Sequence, residues 1–234
     1  MAVAAGTVCR CTRRSVHQRK ADYSPRVDAL LAFAAALVSL RLSAELVRRA
    51  REGRREAYLA WAAGLAAYAV AAGALAWGAA AGWSDAAFRV YYLGGALLTA
   101  PLLGAGSLLL VGRRRALPAS LVYTGLAVGV ALAMPLDVEL SGTNVPEAQD
   151  VLDLWPARIL AIAGNTIGTI TVVAVALTTF RRRPLGNTLV LAGIAVAALG
   201  SALAGLGVGT LGPVLAAAAI LLYAGFVAPT RPSR

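Results

Sequence analysis

PLGNTLVLAGIAVAALGSALAGLGVGTLGPVLAAAAILLYAGFVAPT, residues 184–230, runs for 47 positions without a charged side chain. A backbone in hydrocarbon finds no water for its polar groups, so it crosses as a helix of about 20 apolar residues. This stretch is long enough for two such helices, and the glycine-rich segment from Gly205 to Pro213 divides it into helices at 187–206 and 211–228. Moving toward the N-terminus, four further uncharged runs of 21 to 28 residues predict helices at 57–82, 88–112, 117–135 and 157–180. A seventh, at 27–47, is interrupted by Arg41, yet Leu42, Ala44, Leu46 and Val47 continue its apolar character. Arg41 can snorkel, and it stands four residues before Glu45 at a favourable helical pairing distance. The expected architecture is all-α, a polytopic seven-helix transmembrane bundle over residues 27–230, with a basic, disordered tail at 1–26 and a short cytoplasmic tail at 231–234.

Composition agrees. The chain is 59% hydrophobic and 14% charged, with a mean hydropathy of +0.71, which leaves no room for a separate soluble domain. Its net charge of +11 comes from 21 arginines and one lysine. In a soluble protein that excess would suggest nucleic acid; here arginine clusters between apolar runs orient membrane helices, and no nucleic-acid partner is expected. Cys9 and Cys11 are too few and too close for a disulfide framework or a complete metal site.

The side on which arginine accumulates is cytoplasmic. Arg48, Arg49, Arg51, Arg54 and Arg55 fill the first loop, Arg113, Arg114 and Arg115 the third, and Arg181, Arg182 and Arg183 the fifth, while Arg231 and Arg234 end the chain. Asp85, Asp137, Glu139, Glu147, Asp150 and Asp153 occupy the opposite loops, where Arg89 and Arg158 at helix mouths are the basic residues. This places the protein in the inner (plasma) membrane with its N-terminus outside and its C-terminus inside. The basic tail at 1–26 runs against that assignment. An inside tail would export the five arginines of the first loop or demote the first helix to a surface segment, giving six spans, whereas a translation start at Val27 would remove the conflict, and N-terminal sequencing that found Met1 would sink that start.

Polar side chains inside spans are costly and ask for a reason. On the fifth helix Arg158, Asn165 and Thr169 share a face at spacings of seven and four, above the apolar Val172 and Val173. On the third, Arg89, Tyr92 and Thr99 lie on a related face, and Pro101 can free a carbonyl or kink the helix. Two arginines at the mouths of two helices suit an anionic head, because guanidinium binds phosphate and carboxylate bidentately. These six residues are the candidate ligand site. The same pattern arises if the arginines snorkel, Asn165 bonds a neighbouring helix, and Trp83, Tyr91, Tyr92 and Trp155 form an interfacial aromatic belt. Gly125 with Gly129 and Gly164 with Gly168 have G-x-x-x-G spacing, which marks close helix packing or, less commonly, dimerisation.

Several chemistries are excluded by what is missing. No lysine lies in a span to form a retinal Schiff base, and His17 alone cannot ligate haem or complete a membrane Ser/His protease site. Zinc and di-iron sets are lacking too, so neither a metal nor a cofactor is expected. No carboxylate of a cation-coupled transporter stands mid-span, Glu45 being near the cytoplasmic boundary. Outer-loop acids could serve acid-base chemistry, but no nucleophile or paired acid and base has motif-grade spacing, so no catalytic residue is assigned.

The run GWSDAAFRVYYLGGALL (residues 82–98), followed by AGNTIGT (residues 163–169), resembles a pattern in uncharacterised seven-helix membrane proteins of high-GC bacteria. The resemblance covers the chain from about residue 27 onward, implies a seven-helix count, leaves residues 1–26 outside the shared region and carries no activity. Two functions follow from the residues. One is a non-catalytic binder or carrier of a small amphiphile or lipid at an outer pocket. The other is an accessory or signalling subunit whose arginine-rich cytoplasmic face, 13 residues in all, meets anionic lipid, a membrane protein or a cytosolic protein.

Overall fold

A computed structural model describes residues 25–53, 56–136, 140, 142–181, 183–205 and 211–228. Most of the basic tail with Cys9, Cys11 and His17, together with Arg54, Arg55, Asp137, Glu139, Arg182, the centre of the glycine-rich turn and the chain end after residue 228, lies outside them. The described residues are helical, with no strand among them: α1 Pro25–Gly53, α2 Glu56–Ala81, α3 Asp85–Leu110, α4 Ala116–Ala133, the single turn α5 Ala148–Val151, α6 Leu154–Thr178, α7 Pro184–Gly205 and α8 Leu211–Val227. Five of these, α1, α2, α3, α4 and α6, are long and apolar enough to cross a membrane; Pro184–Leu199 and Ala216–Gly225 are shorter apolar helices.

Helix ends follow local chemistry. Pro25 and Pro184 open α1 and α7, where the missing N–H would have no partner anyway. Ser84 caps α3, its hydroxyl accepting from the Ala87 N–H at 3.3 Å, with Asp85 in the first turn against the positive helix end. Gly82, at φ +96°, makes the turn that lets α2 end and the Trp83 N–H reach the Gly142 carbonyl at 2.9 Å. The sequence placed the end of the first helix near residue 47, whereas α1 continues to Gly53. Glu45 pairs with Arg48 and Arg49 at 2.8 Å, and Arg48 with Glu52 at 3.1 Å, and such i,i+3 and i,i+4 pairs carry the helix on past its apolar run. Glu45 does not pair with Arg41, because a glutamate N-terminal to its arginine is the better-oriented arrangement.

The helix α2 is the centre of the bundle, with two-thirds of its apolar window buried between α1 and α3. Glycines of α3 let the two helices approach: a Cβ at Gly94 would stand 2.5 Å from the Ala67 carbonyl of α2, and one at Gly106 would overlap the Trp61 ring. The α1 helix packs against α2 and α8, α8 pairs with α7, and α3 lies against α6. Hydrogen bonds stitch the arginine-rich end: Ser43 to the Ala62 carbonyl at 2.8 Å, the Trp61 indole to the Leu103 carbonyl at 3.1 Å, and Asn187 to the Ala176 carbonyl at 3.0 Å.

One irregularity matters for the site. Residues Leu93–Leu98 of α3 form a wide π turn, the Thr99 N–H bonding the Gly94 carbonyl five residues back. Such a turn holds about one residue more than an α-turn, so residues on either side are out of phase by roughly 100°. In that register the donor for the Ala96 carbonyl would be residue 101, which is proline.

Candidate functional site

Of the candidate residues, Arg89, Tyr92 and Arg158 lie where α3, α4 and α6 meet at the end opposite the arginine clusters, and Thr99, Asn165 and Thr169 lie deeper along α3 and α6. An aromatic floor supports them. Phe88 is fully buried, Tyr92 stacks on it at 5.9 Å, and Trp83 meets Tyr91 edge-on at 5.4 Å. Met134, Val151 and Leu152 from the following loop close the same core. The belt suggested by sequence therefore divides, since Trp83 and Tyr92 are buried while Trp155 is 72% exposed.

Arg89 turns toward α4. One guanidinium nitrogen donates to the Ala131 carbonyl at 2.8 Å and to the Leu132 carbonyl at 3.0 Å. These are among the last four carbonyls of α4, which have no partner within their own helix and sit at its negative end. Arg89 is thus the C-terminal bracket of a neighbouring helix, a role that its position in α3 does not announce.

Asn165 crosses the α3–α6 seam, its amide nitrogen donating to the Ala96 carbonyl at 2.7 Å. In the π register this carbonyl faces Pro101, which has no N–H to give. Asn165→Ala should lower stability by about 0.5–2 kcal/mol, the range for interhelical polar contacts in membranes, read as an earlier thermal or SDS unfolding midpoint of the purified protein in detergent. Thr99 serves its own helix, donating to the Gly94 carbonyl at 2.7 Å. The π turn also rotates Thr99 about a quarter turn away from the line of Arg89 and Tyr92. The helical face expected from spacing is broken there.

The side chains of Arg158, Tyr92 and Thr169 make no hydrogen bond to another described residue. Arg158 is partly buried at the start of α6, within electrostatic reach of the Tyr92 hydroxyl, as is Tyr123 of α4. Tyr123 in turn donates to the Leu160 carbonyl at 3.4 Å and lies over Gly164, where a Cβ would overlap its ring. Nothing in the sequence marked Tyr123, which is one of several tyrosines in apolar runs and acquires its place through packing alone. Thr169 lies about 16 Å farther along α6 from Arg158, so the two cannot hold one small headgroup.

Gly168 supplies the seam. A Cβ there would overlap the backbone of Ala100 and Pro101, and one at Gly104 would stand 2.9 Å from the Gly168 Cα. The helices bearing the two mouth arginines are consequently neighbours at backbone contact. Among the described residues no group of His, Cys, Asp and Glu could hold a metal ion. No protein-family model, curated protein or solved structure matches the chain.

Proposed function

We propose that the chain is a seven-span protein of the inner (plasma) membrane, N-terminus outside and C-terminus cytoplasmic, that binds or carries an anionic amphiphile at its outer end without catalysis. The segregation of Arg48, Arg113, Arg114, Arg115 and Arg181 to one end and of Asp85, Glu147, Asp150 and Asp153 to the other supports the orientation. The observation that carries the binding reading is Arg158, a partly buried guanidinium whose side chain makes no hydrogen bond to a described residue, within electrostatic reach of a Tyr92 hydroxyl in the same state. A headgroup phosphate or carboxylate would satisfy both, with its tail descending along the α3–α6 seam.

Native mass spectrometry of protein purified gently from its own membranes tests this. The parent should retain one anionic amphiphile, and Arg158→Gln should weaken that retention about 10- to 100-fold, the weight of a charge-assisted hydrogen bond. Retention unchanged by Arg158→Gln would refute the reading. Arg89→Ala is the wrong probe, since its loss releases α4 as well.

A second reading, an accessory or signalling subunit, draws on the exposure of Arg48, Arg113, Arg114, Arg115 and Arg181 at one end. A partner protein co-purifying in stoichiometric amount, and released by charge reversal of residues 113–115, would favour it.

A further inference from the structure

At the arginine-rich end, a cleft of about 370 Å³ opens between α1 and α8, lined by Arg41, Ala44, Glu45, Arg48, Arg49 and Tyr223. We propose that this cleft binds the headgroup of an anionic phospholipid from the leaflet on the arginine-rich side. It is separate from the Arg158 site and lies at the opposite end of the bundle.

The charged residues of the cleft are unequally paired. Glu45 accepts from Arg48 and from Arg49, both at 2.8 Å, and Glu52 takes a further hydrogen bond from Arg48 at 3.1 Å. Arg41 has no hydrogen bond or ion pair with any described residue, although it is the arginine set deepest in the apolar run. It lies about 10–12 Å along the helix from Arg48 and Arg49. Three arginines line the cleft against Glu45, with Glu52 beyond its edge taking a share of Arg48, and the one arginine left without a carboxylate, Arg41, stands at the apolar end. A cation there is costly unless it snorkels or meets an anion.

Tyr223 gives the opposite wall. Its ring packs against the core formed by Leu42, Leu46 and Trp61, so the wall is fixed, and it stands near the end of α8, as an interfacial tyrosine does. Leu42 and Leu46 turn inward, leaving the face of Arg41, Ala44 and Arg48 toward the membrane. Farther along α1, Phe33 and Leu37 are each about half exposed, a bed for acyl chains beneath Arg41. Guanidinium above, apolar surface below and an aromatic wall beside them match a phosphodiester attached to a diacyl tail, and 370 Å³ is of ligand size. A soluble anion would have no use for the apolar bed.

The test uses the full chain in detergent micelles, in the Arg158→Gln background so that the outer site does not contribute, with phosphatidylglycerol, phosphatidylcholine or inorganic phosphate added and bound adducts counted by native mass spectrometry. Phosphatidylglycerol should be retained over phosphatidylcholine. Arg41→Gln should reduce that preference about fivefold, the weight of one basic residue at an anionic surface, while Arg41→Lys should keep most of it. Arg114→Gln, at the same end but outside the cleft, should leave it intact. Equal retention of the two lipids, an Arg41→Gln protein that behaves as its parent, or an equal loss with Arg114→Gln would overturn the proposal. Displacement of the lipid by inorganic phosphate would reassign the cleft to a soluble anion.

Discussion

Gly168→Ala should be among the most damaging single-methyl changes at the described glycines, lowering stability by about 3 kcal/mol or more and separating α6 from α3. Its Cβ would overlap Ala100 and Pro101 main-chain atoms, which cannot rotate away as a side chain can. Overpacking of a core normally costs about 1–3 kcal/mol, and backbone obstacles belong at the upper end. The paired change on α4 is the control. A Cβ at Gly125 or Gly129 meets nothing within 4 Å, so Gly125→Ala and Gly129→Ala should be neutral or slightly stabilising through helix propensity. Unfolding midpoints of the three variants in one detergent read the contrast, and equal midpoints would mean that the seam is not a close contact.

Arg89→Gln should have the next largest effect. Its guanidinium bonds two terminal carbonyls of α4, and hydrogen bonds to a charged group contribute about 1.5–3 kcal/mol. The loss falls on the least embedded of the five long helices, since 17% of the α4 window is buried within the protein. Hydrogen exchange should therefore rise in α4 far more than in α2 or α6, with Arg89→Lys intermediate, because an ammonium keeps the charge but not the reach of the guanidinium. A uniform rise across all helices would instead mean that Arg89 supports the whole fold.

These two residues also show what a one-dimensional reading can and cannot see. Helix limits were legible because hydrocarbon imposes a length and arginine marks the ends, so α2, α3, α4 and α6 start and stop within a few residues of expectation. The two G-x-x-x-G pairs look alike in sequence, yet one is a backbone contact and the other faces open space. The difference lies in which helix stands opposite. Arg89 reads as a mouth residue until another helix ends beside it. The π turn is invisible to periodicity, since an extra residue per turn leaves no compositional mark, and it moves Thr99 off the expected face. Asn165 was legible as an expensive polar group, and Pro101 as one able to free a carbonyl; their meeting at Ala96 required coordinates. Arg41 was expected to find Glu45, and the direction of the helix gave Glu45 to Arg48 and Arg49 instead.

The lengths of the helices have a consequence for the surrounding membrane. At 18 residues α4 is about 27 Å long, whereas α2 and α3, with 26 each, reach about 39 Å. A hydrocarbon layer near 30 Å is overspanned on one flank and slightly underspanned on the other. Lean of the long helices can absorb the excess, but α4 offers no slack, so lipids beside it must shorten or tilt. The protein thus presents an asymmetric rim to its host bilayer, thin along α4 and thick along the longer and mostly exposed α1 and α6, and a chain with such a rim favours surroundings that can match both.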